Sequence, residues 1–295
     1  MSLSMETKHR MFLQWCMSAN LSSETQLRET IQRIFDDQQM DIQEAVDLAN
    51  SCLSKYSLEL RSAIDQTTGT RHWAMVNTNA DTIATGATPY IQSELAILKA
   101  LIEEILTEDT GNYAVSLHDA LKTASKTGPT GMARGQAEKL IAEFCKDCWL
   151  ARSQGGWVVL GTRAIIELQP FFTDGFGDYQ RHCALCSEMA TEGVVCTECY
   201  AVVHPYCARQ LALSSSNSTA STGSDQLSCP KCRRLIARPM RFGPGKPGVP
   251  HSIEQTQAEP ELNSPSEEYN TPRGRKRVLD DSDRDDETEE DIISD

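Results

Sequence analysis

The chain has 295 residues, of which 39% are hydrophobic and 24% charged, and its formal net charge is −14. This length and apolar content predict about two or three packed domains, and no apolar run approaches the roughly 18 residues that a membrane helix needs, so we expect no membrane association. Residues 239–295 carry 7 basic and 15 acidic side chains, which leaves 21 basic and 27 acidic ones on residues 1–238. The acidity is therefore concentrated at the C-terminal end.

Three helices are predicted near the start of the chain. Apolar residues at helical spacing predict the first over Lys8–Ala19. A second follows Ser23, whose hydroxyl together with Gln26 three residues later is typical of a capping box, and a third begins at Asp41. The residues predicted to face inward are Phe12, Trp15, Cys16, Ala19, Leu27, Ile31, Ile34, Phe35, Ile42, Ala45, Val46, Ala49, Cys52 and Leu53.

A β-hairpin is predicted next, because the apolar period changes to two. Leu58 and Leu60 alternate with polar neighbours, Trp73 and Met75 do the same, and Asp65–Gly69 has the composition of a turn. Three helices followed by a hairpin is the arrangement of a winged-helix domain.

The same order is predicted a second time. Pro89 is expected at the first position of a helix, Ser116 caps a shorter one, Gly128 and Pro129 end it, and a long helix runs to about Cys148. The residues predicted to face inward are Ile91, Leu95, Leu98, Leu101, Ile102, Ile105, Leu117, Ala120, Leu121, Ala124, Ala137, Leu140, Ile141, Phe144, Cys145 and Cys148.

A second hairpin closes this repeat. Trp149–Ala151 and Trp157–Leu160 flank Gln154–Gly156, a strong turn signal. We therefore predict an α+β chain with two tandem winged-helix domains, at residues 1–87 and 88–175.

Winged helices often bind DNA through the third helix, so the exposed faces of those helices matter. The faces are predicted to show Gln43, Glu44, Asp47 and Asn50 in the first domain, and Arg134, Gln136, Glu138, Lys139 and Glu143 in the second. Phosphate contacts require Lys or Arg, and neither face is a basic stripe. We expect these domains to dock proteins, and direct DNA binding to be weak or absent.

The segment that follows is rich in apolar residues. Residues 161–172 include Ile165, Ile166, Leu168 and a pair of phenylalanines, whereas a free linker is polar. We expect it to pack against one or both of its neighbours, the second hairpin and the domain that follows, and to hold that domain rigidly.

Eight cysteine and histidine residues then form four pairs, each with two residues between its members. They are Cys183 and Cys186, Cys196 and Cys199, His204 and Cys207, and Cys229 and Cys232. Two ligands on one tight turn supply half a tetrahedron, so four pairs predict two closed structural zinc sites. A disulfide framework is the alternative, but it needs an oxidising compartment, and residues 1–10 lack an apolar signal segment. Cys145 and Cys148 are interpreted as core residues rather than a third site.

The order of four Cys, one His and three Cys resembles both a PHD finger and a variant RING. A PHD finger usually has tryptophan two positions before the last pair, where this chain has Leu227, while Pro230 after the seventh ligand resembles a RING ending. We favour a variant RING over residues 176–238. Both families use a cross-brace, and that resemblance implies one zinc held by Cys183, Cys186, His204 and Cys207 and another held by Cys196, Cys199, Cys229 and Cys232.

The remaining segments are predicted to lack a fixed structure. The Ser/Thr-rich run Ser214–Ser224 is expected to be a flexible loop, and residues 239–295 a disordered acidic tail. Within that tail, Arg273–Arg277 is a short basic cluster that favours nuclear import.

Taken together, residues of about 8–236 resemble one protein family. The residues that carry the resemblance are His9–Gln14, Leu160–Arg163 and Glu167–Leu168, followed by the Cys/His pairs. The chain is similar to the non-structural maintenance of chromosomes element 1 family, the RING-bearing non-SMC subunit of the SMC five/six complex that serves DNA repair. The resemblance implies a MAGE-type partner, the kleisin and SMC subunits of the same complex, a nuclear location, and ubiquitin ligase activity that depends on the partner.

A RING has no catalytic residue of its own and acts by docking a ubiquitin-conjugating enzyme. The resemblance implies contacts to that enzyme or to ubiquitin from Ala184, Leu185, Pro230 and Arg233. The chain departs from the usual RING ligase pattern at two places. Ala184 stands where RING ligases usually have a bulky aliphatic residue, and no aromatic residue lies between Cys207 and Cys229, where they usually have a tryptophan before the seventh ligand. The alternative is a non-enzymatic scaffold or a PHD-like binding module of a chromatin complex.

Overall fold

The computed structural model describes residues 4–36, 40–78, 89–130, 132–215, 227–236 and 239–249. Its N-terminal segment, residues 4–78, contains three α-helices, a 3-10 turn at Ser54–Tyr56 and a three-stranded antiparallel sheet with the strand order β1-β3-β2. The elements in chain order are α1 (Met5–Ser18), β1 (Ser22–Ser23), α2 (Glu24–Phe35), α3 (Ile42–Leu53), β2 (Leu58–Ile64) and β3 (Arg71–Asn77). The predicted helices and hairpin are confirmed, and β1 is an additional strand.

The sequence signals of this segment act locally. Ser23 accepts a hydrogen bond from the Gln26 amide while the Gln26 side chain bonds back to Ser23, so α2 begins with the predicted capping box. The inward-facing residues form one core around Phe12, Leu27 and Val46. The prediction was wrong for Cys52, which is exposed, because at the end of α3 only its neighbour Leu53 turns inward.

The middle segment, residues 89–160, repeats this order of elements. They are α4 (Gln92–Leu106), β4 (Ala114–Ser116), α5 (Leu117–Thr127), α6 (Arg134–Lys146), β5 (Leu150–Arg152) and β6 (Trp157–Leu160). The sheet has the strand order β4-β6-β5 and is antiparallel. Ser116 caps α5 as predicted, and Gly155 and Gly156 form the β5–β6 turn with φ of 123° and 80°, a region that favours glycine.

Two predicted boundaries in this segment were wrong. Pro89 is not the first residue of α4, because Ile91 is still extended and its amide bonds to the Glu94 side chain, so the helix begins at Gln92 and Ile91 is exposed. Helix α6 ends at Lys146, before Cys148. Cys148 has a left-handed φ of 62°, and the hydrogen bonds Cys148 N to Cys145 O and Trp149 N to Phe144 O form a Schellman ending.

The apolar segment after β6 packs against the middle segment, as predicted, and also against the N-terminal segment, which was not predicted. It forms α7 (Thr162–Glu167) and α8 (Gln169–Phe176). Ile166 packs against Ala74 and Val76 of β3, while Leu168 and Phe172 join the core of the middle segment.

The C-terminal segment, residues 177–249, has short strands, an α-helix and a 3-10 turn at Gly177–Tyr179. The elements are β7 (Gly193–Val195), β8 (Val202–Val203), α9 (Pro205–Ser215), β9 (Leu227–Ser228), β10 (Leu235–Ile236) and β11 (Met240–Phe242). Strands β11-β7-β8 make one antiparallel sheet and β9-β10 another. Helix α9 includes Ser214 and Ser215 of the run predicted to be a loop, while residues 216–226 lie outside the described part of the chain.

The prediction that order ends at residue 238 was wrong. Strand β11 pairs with β7, and both Phe242 and Val249 are buried in the core of the middle segment. The buried Arg181 guanidinium lies 4.8 Å from the Phe242 ring centroid and donates hydrogen bonds to the Gly111 and Val249 carbonyls. These contacts give a segment rich in Pro and Gly a fixed place. The remaining tail, with Arg273–Arg277, lies outside the described residues.

One large core therefore joins the middle segment, α7, α8 and part of the C-terminal segment. Met189, Ala190, Val195 and Val202 belong to it although they lie between the Cys/His pairs. Among the described helices, none is long and apolar enough to cross a membrane.

Candidate metal centres

The structure brings the eight Cys and His residues together as two groups of four. The first foursome is Cys183, Cys186, His204 and Cys207, and the second foursome is Cys196, Cys199, Cys229 and Cys232. Within each foursome the potential ligand atoms all lie within 4.8 Å of one another. The grouping is the interleaved one that the cross-brace resemblance implied, in which the first and third pairs meet and the second and fourth pairs meet.

The first foursome is assembled from a turn and the start of α9. The His204 Nδ1 atom lies 3.3 Å from the Cys186 sulfur and 3.8 Å from the Cys207 sulfur. The Nε2 atom of the same ring lies 3.1 Å from the Met189 carbonyl oxygen. Because a carbonyl only accepts, this bond places the proton on Nε2 and leaves Nδ1 free to bind a metal.

The second foursome is assembled from two turns that face each other. The sulfurs of Cys196 and Cys232 lie 3.7 Å apart, and those of Cys199 and Cys229 lie 3.5 Å apart. With metal–sulfur bonds of about 2.3 Å, two sulfurs of a tetrahedral zinc site lie about 3.8 Å apart. The spacing of these donors, three thiols and an imidazole in one foursome and four thiols in the other, fits one such ion in each.

The three Cys-x-x-Cys turns of the two foursomes have the same backbone geometry. The residue after the second cysteine has a left-handed φ, which is 62° for Ser187, 54° for Tyr200 and 61° for Arg233. Its amide donates to the carbonyl of the first cysteine over 2.8, 3.0 and 2.9 Å, respectively. This turn folds the chain back sharply, so the two sulfurs of each pair point to the same place.

The thiols of each foursome differ in acidity. Burial raises the pKa of Cys183, but hydrogen bonds with His204 and with backbone amides outweigh it and lower the pKa to about 5. A backbone hydrogen bond from Arg234 lowers the pKa of Cys232 to about 7. Burial raises the pKa of Cys186, Cys196, Cys199 and Cys207. Metal ligation needs thiolates, so a bound cation would displace protons from these four.

The residues that the resemblance implied for enzyme contact lie around these turns. Ala184 and Arg233 are exposed, Leu185 is 44% exposed and Pro230 is half-buried. They are placed at one turn of the first foursome and one turn of the second. The backbone of Ala184 is held in place by its amide, which donates to the Val202 carbonyl over 2.8 Å.

Other candidate residues are placed differently from the predictions. Cys145 packs against the large core, Cys148 is half-buried outside α6, and in the described part of the chain neither belongs to a metal-binding group. On the exposed face of α3, Asn50 is engaged rather than free, because its side chain bonds to the amide and carbonyl of Leu60. Met189 was missed, and no sequence signal indicates it, because it acts through its backbone carbonyl.

The chain is similar to several known proteins. The profile of the family described as "Nse1 non-SMC component of SMC5-6 complex" matches residues 9–168. "Non-structural maintenance of chromosomes element 1" of Schizosaccharomyces pombe is 26% identical over 207 residues, which cover 70% of this chain and 87% of the relative. The Homo sapiens homolog of that name is 24% identical over 204 residues, which cover 68% of this chain and 76% of the relative.

A chain from a solved structure, the "Nse1-Nse3-Nse4 complex", has a similar fold. The match has a TM-score of 0.64 and 22% sequence identity, and it covers 81% of this chain and 99% of the matched chain. The predicted family resemblance is therefore confirmed. Since the matching profile spans more than half of the sequence, the chain belongs to the family of Nse1 non-SMC components of the SMC5-6 complex.

Proposed function

We propose that the chain is the RING-type ubiquitin ligase subunit of the SMC5-6 complex, acting in the nucleus in DNA repair and chromosome maintenance. The observation that carries the proposal is the interleaved pairing of the two foursomes in a member of this family. RING domains and PHD fingers both use this pairing, and Pro230 after the seventh ligand favours the RING, a domain that positions other proteins rather than reacting itself.

Each foursome holds one zinc ion in this proposal. The donors supply four ligands and leave no open position, so the ions act structurally and contribute folding free energy rather than chemistry. The His204 Nε2 bond to Met189 is the kind of outer contact that fixes a metal-binding imidazole in place.

The two repeated segments are interpreted as winged-helix domains. Both have the order helix, strand, two helices, two strands, and both form a three-stranded antiparallel sheet. We propose domain limits of 1–87 and 88–175. The zinc domain then begins at residue 176 and extends to Val249 rather than 238, because β11 completes its sheet.

The proposed partners are the MAGE-type and kleisin subunits, together with the SMC subunits of the complex. The similar solved structure supports the first two, since its name is that of a complex of Nse1 with Nse3 and Nse4. The exposed residues of α3 and α6 support protein docking over DNA binding. They include Gln43, Glu44, Asp47, Arg134, Gln136, Glu138, Lys139, Glu143 and Lys146, and the four acidic ones among them interrupt any basic stripe.

Ubiquitin transfer in this proposal is catalysis by proximity and orientation. Leu185 and Pro230 form the surface for a ubiquitin-conjugating enzyme, and the exposed guanidinium of Arg233 donates hydrogen bonds to ubiquitin. The small side chain of Ala184 gives this surface little apolar area. Transfer therefore depends on a partner that adds surface or fixes the conjugating enzyme.

The second candidate function is a scaffold without ligase activity. It is favoured by two observations, the small Ala184 at the docking position and the absence of an aromatic residue between Cys207 and Cys229. The continuous core between the middle and C-terminal segments would serve a scaffold equally well.

Reconstitution with the MAGE-type partner separates the two candidates. We expect slow ubiquitin transfer by the chain alone and faster transfer with the partner, across a panel of conjugating enzymes. Leu185→Lys should lower the stimulated rate by about tenfold, since loss of one buried contact of about 1.4 kcal/mol has that effect. The matched control is Leu235→Lys, because Leu235 is a similarly exposed leucine, 46% against 44%, outside the proposed contact set.

Two results of this experiment would contradict the proposal, each in a different part. No transfer with any conjugating enzyme, from a reconstituted complex that retains its zinc, would leave the scaffold as the function. Equal loss in Leu185→Lys and Leu235→Lys would show that the docking surface has been assigned to the wrong residues.

A further inference from the structure

The turn between β2 and β3 contacts the segment that carries the first foursome. We call this turn, Asp65–Gly69, the hairpin tip. It belongs to the N-terminal segment, more than a hundred residues away from the C-terminal segment in sequence. Nothing in its composition beyond a turn signal predicts such a contact.

The Gln66 side chain is the centre of the contact. Its Nε2 atom donates to the Met189 carbonyl over 3.1 Å, and its Oε1 atom accepts from the amides of Thr191 and Glu192 over 3.0 and 3.3 Å. The Met189 carbonyl is also the acceptor for His204 Nε2, at 3.1 Å. One backbone carbonyl is therefore shared by the hairpin tip and by a residue of the first foursome.

The hairpin tip also contacts the beginning of α9. The Gln66 carbonyl accepts from the Tyr206 amide over 2.9 Å, and the Thr67 carbonyl accepts from the Arg209 guanidinium. The amides in the first turn of a helix have no partner within the helix, so Gln66 supplies one. Gly69 allows the close approach, because a Cβ there would overlap the Tyr206 ring. Cys207 lies in the same helical turn as Tyr206.

We propose that Gln66 is a positioning residue for the first foursome, and that the hairpin tip and the metal held by that foursome stabilise each other. The proposal rests on the zinc binding proposed above. Gln66 orients His204 through the Met189 carbonyl and Cys207 through the start of α9, so it supports both members of one ligand pair. Replacing a residue that positions a metal ligand without binding the metal itself typically lowers metal affinity by about 10- to 100-fold.

The second foursome has supports of a different kind. Its turns are closed by the hydrogen bonds of Tyr200 to Cys196 and of Arg233 to Cys229, and β9 pairs with β10 beside it. These contacts all lie within residues 196–236. A change at Gln66 should therefore affect one of the two metals and not the other.

Coupling between two sites is reciprocal. A partner that moves the hairpin tip away from α9 would weaken metal binding by the first foursome, and loss of that metal would release the hairpin tip. A protein that docks on the N-terminal segment could therefore change metal binding in the proposed RING domain.

Zinc release from the full chain tests the proposal. The purified protein is mixed with an excess of a coloured chelator, and the release of each equivalent is followed in time. We expect Gln66→Ala to release one equivalent about 10- to 100-fold faster than the unaltered chain and the other at an unchanged rate. The matched control is Gln154→Ala, since Gln154 is an exposed glutamine in the corresponding turn of the β5–β6 hairpin.

Two further variants make the result specific. Gln66→Glu keeps the acceptor oxygen and loses the donor to the Met189 carbonyl, so it should also accelerate one equivalent, and it serves if Gln66→Ala does not fold. The double variant Gln66→Ala with Cys186→Ser should lack the rapidly released zinc equivalent, because Cys186→Ser removes a ligand of the first foursome.

Unchanged release in both Gln66 variants would overturn the proposal, and so would equal acceleration of both equivalents. These results differ from a failure of the proposed zinc binding, in which the unaltered chain would not release two equivalents.

Discussion

The two foursomes have different surroundings. Cys183 and Cys207 of the first foursome lie with Val203 in a small apolar cluster. Met189, Ala190 and Val202, which lie near this foursome in sequence, belong to the large core shared with the middle segment, and the hairpin tip contacts the same region. The second foursome lies in a small apolar cluster whose other buried members are Val194, Ala201 and Ile236.

The difference indicates where a metal contributes most to folding. A small apolar cluster buries too little surface to offset the loss of chain entropy, so a metal must supply the remaining free energy. The second foursome should therefore depend on its metal for its structure, whereas the first should depend on its metal mainly for the geometry of its ligands.

The largest effect is expected from breaking one foursome at a time. Cys229→Ser should unfold β9 and β10, because the second foursome then loses its metal and only a small apolar cluster remains. Cys186→Ser should lose one metal as well but keep the β11-β7-β8 sheet. Metal analysis should find two zinc ions in the unaltered chain and one in each variant, and amide hydrogen exchange should locate the unfolded strands.

Equal exchange in both variants would contradict the comparison. Protection of the α2 and α3 amides is the internal control, since the core of the N-terminal segment contains neither foursome.

A smaller effect is expected from removing β11. A chain that ends at residue 238 loses the buried Phe242 and Val249, and burial of one phenylalanine alone contributes about 3–5 kcal/mol. Its midpoint of unfolding by urea should fall accordingly. The control ends at Val249 and removes only residues 250–295, which take part in none of the contacts described above, so it should unfold like the full chain. Equal midpoints for the two truncations would show that β11 contributes nothing.

The smallest effect concerns the backbone of the second foursome. Arg233 has a left-handed φ of 61°, which glycine adopts without strain, so Arg233→Gly should be more stable than Arg233→Ala by about 1 kcal/mol. At Arg234, which has no such φ, alanine should be the more stable replacement. Denaturation curves of the four variants would check this reversal. The same order of stability at both positions would show that the turn imposes no such constraint.

This pair of variants also refines the ligase experiment. Arg233→Ala removes the guanidinium and leaves the turn as strained as before, because arginine and alanine both carry a Cβ. Arg233→Gly removes the guanidinium and relieves that strain, so an equal loss of activity in the two variants would assign the loss to the guanidinium.

Much of the fold was predictable because its signals are local. The capping box at Ser23, the turn at Gly155 and the spacing of the Cys/His pairs each lie within a few residues, and the structure has all three. Periodicity also gave the inward faces of the longer helices, because their apolar stripes extend over several turns.

The remainder depended on contacts between distant residues. Strands β1 and β4 are too short to show an alternating pattern, and Phe242 lies among Pro and Gly residues that mask its pairing with β7. The end of α6 depends on the left-handed conformation of Cys148, which no local pattern required. The contact of Gln66 with Thr191 joins residues 125 positions apart, so only the folded chain shows it.

The interleaving of the two foursomes has a consequence for synthesis on the ribosome. Cys183, Cys186, Cys196 and Cys199 emerge before His204 and Cys207, and four thiols are sufficient to capture a zinc ion with the wrong partners. To reach the proposed arrangement, this ion must replace its ligands Cys196 and Cys199 with His204 and Cys207. Cys196 and Cys199 are then without a metal until Cys229 and Cys232 emerge. The order in which the ligands appear therefore makes metal loading a kinetic problem, in which an early and stable capture would slow maturation.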